Sequence, residues 1–307
     1  FDTLGTAVNT AIRPYLNQQG VPQLFVATGA STWGKDYKQF PWTIGWQPDY
    51  QAEAMLYARD ILEYHPKAKI GVIYQNDDYG EDYNTGLKRG LGSHQSMITK
   101  MASYETSDPN VSSQVSTLKS AGCDTFMIFA TPKFAIQALV AASQQSWHPT
   151  TYVNNVSAAV PFMLAAAKAG GPSAVAGVIS TVYLKDPANH ARYAGDPGMK
   201  LYNQIMDKYL PGADKDDGNY LYGVSIAYTM VDVLKRAGKN LTRKKVMDLA
   251  NNLDERDNPW AYPGVSIRTS PSFRYPITQM IAAKWAGTDW SPSGVLVDTR
   301  SMTMAEK

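Results

Sequence analysis

Of the side chains able to do chemistry, Ser225 comes first, because Gly223-Val-Ser225-Ile-Ala227 is one residue away from a G-x-S-x-G nucleophile elbow. An elbow needs a strand before the serine and a helix after it, whereas Ser225 falls inside the helical pattern from Tyr220 to Ala237. The single cysteine, Cys123, ends a helix next to a strand and reads as a small buried residue, with no partner for a disulfide or a thiolate metal site. His65, His94, His148 and His190 are far apart, with no pair at metal-ligand spacing. No G-x-G-x-x-G follows a strand, and Arg89-Gly-Leu-Gly92 closes a helix instead of opening one, which disfavours a dinucleotide site. The pairs Asp77/Asp78 and Asp216/Asp217 lie in loops, where adjacent carboxylates are hydrated turn formers. The expectation is a protein that is not an enzyme and has no metal and no cofactor.

Binding signals are more numerous. Thr6 follows Gly5 at the start of a helical pattern and reads as an N-cap whose hydroxyl and neighbouring N–H groups make a small anion site. Thr28-Gly29-Ala30-Ser31-Thr32 follows the strand-like Gln23–Ala27 and again offers hydroxyls with an approachable backbone amide. Two such loops at the ends of neighbouring parallel strands would converge on one carboxylate-sized spot; ordinary helix capping is the alternative for each alone. Asn154-Asn155-Val156-Ser157 is either a turn or a set of amides aimed at a ligand. Tyr79, at a strand-to-helix junction, either covers a cleft or staples its helix to the sheet.

The elements that must hold these residues follow from period and composition. The chain has 307 residues, 44% hydrophobic and 18% charged, enough for packed cores in two domains or one large one. Twenty-nine basic and 27 acidic side chains leave a formal +2 without a basic block, which removes the electrostatic argument for nucleic acid. Nothing approaches the run of about 18 apolar residues that a membrane helix needs. Lys69–Tyr74, Asp124–Ala130, Thr151–Asn154 and Ala176–Tyr183 read as strands, and Gln51–Tyr64, Glu81–Arg89, a stretch from Asp108-Pro109 to Ala121, and Lys133–Ser146 as helices. That alternation predicts an α/β fold with a doubly wound parallel sheet. A second set comprises the helix Thr6–Gln19, the strand Gln23–Ala27, the helix Tyr220–Ala237, a helix capped by Thr242, and partner strands at Gln279–Trp285 and Gly294–Asp298. Phe1-Asp-Thr-Leu-Gly-Thr6 reads as the end of a strand feeding a helix, so an upstream segment is expected.

The ordered set Leu4-Gly-Thr6, Gly20-Val-Pro22, Thr28-Gly-Ala-Ser31, Ile70-Gly-Val-Ile-Tyr74, Asp78-Tyr-Gly-Glu81, Ala121-Gly-Cys-Asp124, Thr151-Tyr-Val and Tyr220–Tyr228 resembles the leucine/isoleucine/valine-binding protein family over nearly the whole chain. These are type I periplasmic solute-binding proteins of ABC transporters. The resemblance implies two α/β lobes joined by three crossovers, residues 1–46 with 184–264 forming an incomplete N-lobe and 47–183 with 265–307 the C-lobe. It also implies roughly 70 preceding residues, in keeping with the usual size of a domain pair. By the same resemblance Thr6, Gly29, Ala30 and Ser31 hold a ligand carboxylate, and Tyr79, Thr131 and Asn155 complete the site from the C-lobe. Thr131 stands where amino-acid-binding members have a second tyrosine. The segment at Asn155 lacks the glutamate that pairs with an α-ammonium. A buried ammonium without a counter-charge costs several kcal/mol, so the expected ligand is a carboxylate without an α-amino group, an aromatic acid such as a benzoate or hydroxycinnamate. The implied setting is a periplasmic monomer working with the permease subunits of an importer. An amino-acid binder, a ligand-sensing regulator and an α/β hydrolase-like enzyme are the alternatives.

Overall fold

The apolar runs of the sequence become strands of one large mixed sheet in the computed structural model, which describes residues 1–303. In chain order the elements are α1 (Thr6–Gln18), β1 (Gln23–Val26), α2 (Thr32–Lys35), β2 (Thr43–Gly45), α3 (Tyr50–Tyr64), β3 (Ile70–Gln75), α4 (Asp78–Leu91), β4 (Ile98–Tyr104), α5 (Ser112–Ser120), β5 (Thr125–Phe129), α6 (Pro132–Gln144) and β6 (Thr150–Val153). They continue with α7 (Val160–Gly170), β7 (Ile179–Val182), α8 (Pro197–Tyr209), α9 (Gly218–Ala237), α10 (Arg243–Ala250), β8 (Asp254–Glu255), β9 (Ile267–Arg268), β10 (Gln279–Trp285), β11 (Trp290–Pro292), β12 (Val297–Asp298) and α11 (Arg300–Thr303).

The large sheet runs β11-β10-β7-β6-β5-β3-β4, with β12 also on β10. From β4 to β7 all neighbours are parallel, in a register that sets Val72 beside both Met101 and Met127. Antiparallel β10 then joins β7, β11 and β12. The central strand β5 is buried throughout because helices cover both faces. Its alternate residues divide between them. Phe126 and Ile128 pack with α5, α6 and α7, whereas Met127 and Phe129 pack with Tyr57 of α3 and Tyr83 and Leu87 of α4.

A second sheet pairs β1 with β2 in parallel, and Leu4 bridges to Ala27 beside it. Leu24, Phe25, Ile44 and Trp46 from this sheet form a core with Ile226 and Val233 of α9 and Met247 of α10. The chain passes between the two sheet systems three times, after β2, after β7 and between β9 and β10. These arrangements match the expected α/β, mostly parallel architecture. The second sheet has two strands, and α1 leaves Val8, Ile12 and Tyr15 exposed.

Several local expectations need correction. Gly5, at φ 104°, is the N-cap of α1, and Thr6 is its first helical residue, because the Thr6 hydroxyl bonds to Thr28 rather than to its own helix. α5 starts at Ser112, not at Asp108, since Asp108 closes a turn with Glu105 through both its N–H and its carboxylate. β2, β4, α7, α8 and β11 go unread in the sequence. β4 is an edge strand whose Thr99 and Lys100 are exposed, so its apolar pattern is diluted. No helix among the described residues is long and apolar enough to cross a membrane.

Candidate functional site

Between the two sheet systems lies a cleft of about 160 Å³, partly open to solvent. Leu4, Ala27, Gly218, Asn219 and Tyr222 form one wall and Asn155, Val156, Ala158, Ala159, Val160 and Trp290 the other, with Gln47 and the passage Val182–Pro187 at the hinge side. The lining is aromatic and aliphatic with a few neutral amides. Its charged groups are already engaged. Lys185 donates to Asp196 at 2.6 Å, which helps hold that carboxyl below its ordinary range against the opposing effect of burial. Asp186 accepts N–H bonds from Ala188 (3.0 Å) and Trp290 (3.1 Å), while burial raises it above the usual carboxylate range.

Parallel pairing brings the two hydroxyl loops together, as expected. The Thr6 and Thr28 hydroxyls are 2.7 Å apart, and Thr28 Oγ1 also accepts from the Ala30 N–H (3.3 Å) and the Trp33 indole (3.2 Å). Ser31 donates its N–H to Asp82 at 2.8 Å. This cluster does not open onto the cleft, because Tyr50 covers it. The Tyr50 ring lies where a Gly29 side chain would be, with ring carbons 2.7 and 2.8 Å from an added Cβ, and its N–H donates to the Gly29 carbonyl at 2.8 Å. Burial raises the Tyr50 phenol above its ordinary range, opposed by the Gly29 amide and the Thr28 hydroxyl. Gln47 links this buried group to the cleft, donating to the Tyr50 hydroxyl (3.2 Å) and accepting from Tyr222 (3.4 Å).

Tyr79 lies behind Tyr50. The two rings meet edge to face at 5.2 Å, and the Tyr79 hydroxyl donates to the Ala130 carbonyl (3.1 Å) and is met by the Asn154 amide. Tyr50 therefore occupies the space between Gly29 and Tyr79, where the resemblance puts a ligand. Thr131 is the N-cap of α6 and donates its hydroxyl to Gln75 (3.2 Å), with Tyr104 accepting from its N–H (3.0 Å). Of the seven residues expected at the site, Asn155 alone lines the cleft. Thr6, Gly29, Ala30 and Ser31 are gathered at one place but covered, and Tyr79 and Thr131 stand further inside.

The sequence reading missed Gln47, Tyr50, Glu53, Tyr183, Lys185 and Tyr222. Glu53 carried a signal, because it falls on the buried stripe Tyr50, Ala54, Tyr57, Ala58, Ile61 of α3, where an acid must find donors. It finds three. Oε1 accepts from Tyr57 (2.6 Å) and from the Asn155 N–H (2.6 Å), and Oε2 from Tyr83 (2.8 Å). Burial raises its pKa, and those bonds oppose the rise. At the start of the same helix, Asp49 caps Ala52 N–H at 2.9 Å, and burial pushes its carboxyl up to about 7. No grouping of three metal-ligating side chains occurs among the described residues.

Comparison with known proteins accounts for this architecture. A family model described as periplasmic binding protein matches residues 1–289. Nothing matches among the curated proteins. Among solved structures, the chain is similar to a branched chain amino acid ABC transporter protein from Thermus thermophilus with bound valine, at 13% identity and TM-score 0.79, covering 95% of this chain and 76% of that one. A substrate-binding periplasmic protein from Ralstonia solanacearum is 22% identical, with TM-score 0.78 and coverage of 94% and 78%. A solute-binding protein of an R. palustris ABC transporter, in complex with 4-hydroxybenzoate, is 14% identical, with TM-score 0.75 and coverage of 97% and 77%. Identities this low establish a shared fold and leave the ligand open. The family match, spanning both sheets and the cleft between them, places the chain in the periplasmic binding protein family.

Proposed function

We propose that this chain is the solute-binding component of an ABC importer and carries a small carboxylate, favouring an aromatic acid of the benzoate or hydroxycinnamate kind, to the permease subunits. One observation carries the reading: the cleft has aromatic and neutral polar walls, and its acid Asp186 already accepts two backbone N–H bonds. For an α-ammonium, that acid is already shared with two N–H donors, and burial disfavours its charged form. Glu53 is buried and already accepts from three donors.

The mechanism follows from which element carries Tyr50. It opens α3, which packs with α4 on the large sheet, while Thr6, Thr28 and Gly29 belong to the small one. With lobes of residues 1–46 plus 184–264 and 47–183 plus 265–307, opening withdraws the Tyr50 phenol from the Gly29 amide. A ligand carboxylate then takes its place on the Thr6, Gly29, Ala30 and Ser31 group. Closure, with the Tyr50 ring turned out of the space in front of Tyr79, brings Tyr79, Thr131 and Asn155 over the ligand, and the closed form is the one ligand selects. The 4-hydroxybenzoate complex of the R. palustris relative and the periplasmic family are consistent with such a ligand and with a periplasmic setting.

The test is a thermal-shift screen with benzoates, hydroxycinnamates, aliphatic acids and branched-chain amino acids. A ligand at 100 times its dissociation constant adds about 2.7 kcal/mol of stability. Shifts from acids without an amino group support the proposal. Shifts confined to leucine, isoleucine or valine reject it in favour of amino-acid binding.

A further inference from the structure

The short helix α2 is gripped from across the lobes at one residue. Ser31, its N-cap, donates its N–H to Asp82 of α4 at 2.8 Å, and its carbonyl accepts from the Tyr275 hydroxyl at 2.9 Å. Its hydroxyl faces both Asp49 and Asp82. Three residues on, the Tyr275 ring fills the place of a Gly34 side chain, with ring carbons 2.4 and 2.5 Å from an added Cβ. With the lobe boundaries proposed above, Ser31 and Gly34 belong to one lobe and Asp49, Asp82 and Tyr275 to the other. These contacts must part when the cleft opens.

Two acids therefore meet around one serine. Asp49 is 4% exposed and caps the Ala52 N–H at 2.9 Å, while Asp82 accepts from the Gln51 amide at 2.8 Å. Burial raises both carboxyls. Asp82 adds to the rise at Asp49, against Ser31, Ala52 and Arg89, and Asp78 adds to the rise at Asp82. The other ionisable groups on the packed elements are engaged elsewhere or exposed. Arg89 of α4 donates to Gln51 (2.6 Å), Arg13 of α1 to Thr32 (2.7 Å), and Glu53 of α3 accepts from Tyr57 and Tyr83. Arg300 of α11 lies over the Phe273 ring at 4.1 Å, Lys35 of α2 is exposed, and the Tyr50 phenol is buried and neutral.

We infer that Asp49 and Asp82 are a proton-operated latch between the lobes: while a proton is held between the two carboxyls the Ser31 turn stays gripped and the cleft shut, and its loss lets the lobes part. The inference rests on the two-lobe reading above and concerns the regulation of that same cleft. Opening returns Asp49 to water and toward its ordinary value of 3.8, from about 7 in the closed form. Between those values the closed form keeps a proton that the open form has released. Closure is thus strongest below the window, weakens about tenfold per pH unit across it, and levels off above it.

Amide hydrogen exchange of the unliganded chain, read residue by residue by NMR, tests this. The reporter is the Tyr50 N–H, which crosses to the Gly29 carbonyl (2.8 Å) and is bonded to neither acid. Its protection factor, taken against an unstructured peptide at the same pH, measures the closed-to-open ratio. From pH 5 to pH 7 that factor should fall about a hundredfold in wild type. It should also stay below the factors of Phe126 and Ile128 in buried β5, the reference for exchange by unfolding. Asp49→Asn keeps the α3 cap, because asparagine caps as well as aspartate. With Asp82→Asn in the same chain, the fall should shrink to about threefold or less. Should that double variant fail to fold, Asp49→Asn alone decides, its fall being at least about fivefold smaller than in wild type. Equal Tyr50 protection at the two pH values in wild type overturns the inference, and so does a fall that survives in the variants. Tyr50 protection equal to that of β5 also overturns it, because unfolding and not lobe parting would then be the route. No ligand enters the experiment, so these outcomes leave the carboxylate reading standing, and failure of every acid in the thermal-shift screen leaves the latch standing.

Discussion

The Gly29 position gives the sharpest test of how the two sheet systems meet. An alanine Cβ there would lie 2.1 Å from the Pro48 carbonyl oxygen and 2.7 and 2.8 Å from two ring carbons of Tyr50. The first of these is a backbone atom and cannot rotate away. Pro48–Tyr50 must retreat by about 1 Å or more to reach ordinary van der Waals separation, which breaks the 2.8 Å bond from Tyr50 N–H to the Gly29 carbonyl. Overpacking of this kind costs about 1–3 kcal/mol, and the lost bond adds about 0.5–1.5 kcal/mol. Gly29→Ala is therefore expected to be about 2–4 kcal/mol less stable than wild type. The chain contains its own control. Gly223 sits inside α9 with nothing within 4 Å of an added Cβ, so Gly223→Ala should gain about 0.5–1 kcal/mol from helix propensity. Urea unfolding of the three proteins, with midpoints and slopes compared, gives the result. A Gly29→Ala protein within about 0.5 kcal/mol of wild type would refute the contact, and with it the argument that Tyr50 is seated against Gly29.

Two further outcomes are expected. Tyr50→Phe removes the phenolic oxygen that Gln47 and the Gly29 and Thr28 groups face; the unliganded protein should lose about 1–3 kcal/mol, and carboxylates should bind about fivefold or more tighter, having one less group to displace. Calorimetry showing weaker binding would instead make the hydroxyl a ligand contact. Glu255 is buried beside Asn258, which donates to it at 2.6 Å, and burial raises it from 4.5 to about 7 against that bond, so between those values the folded chain keeps a proton that the unfolded chain has released. Its contribution to stability therefore falls as pH rises across that window, and Glu255→Gln should gain about 2–3 kcal/mol at pH 8 relative to its effect at pH 4. Equal effects of the substitution at both pH values would count against it.

Period and composition along the chain set the architecture and the groups on offer. Short apolar runs such as Val72-Ile73 and Phe126–Phe129, bounded by turn residues, suit strands of a sheet covered on both faces. Ordered motifs carried the family, and the pairing of the Thr6 and Thr28 loops followed from parallel strands. Ser225 was legible as a helix residue, and it lies buried in α9, where its hydroxyl donates to Asn258 at 3.0 Å. Elements with a diluted pattern, such as edge strand β4, did not stand out. Packing alone decides which groups meet. Tyr50 is 21 residues from Gly29 by number and fills the space in front of it, so a loop that reads as an open anion site is covered. Glu53 and Asn155 are 102 residues apart, and their bond ties the turn after β6 to α3. Burial and hydrogen bonding are properties of the neighbours that packing supplies, and no local period encodes which neighbour a side chain will receive.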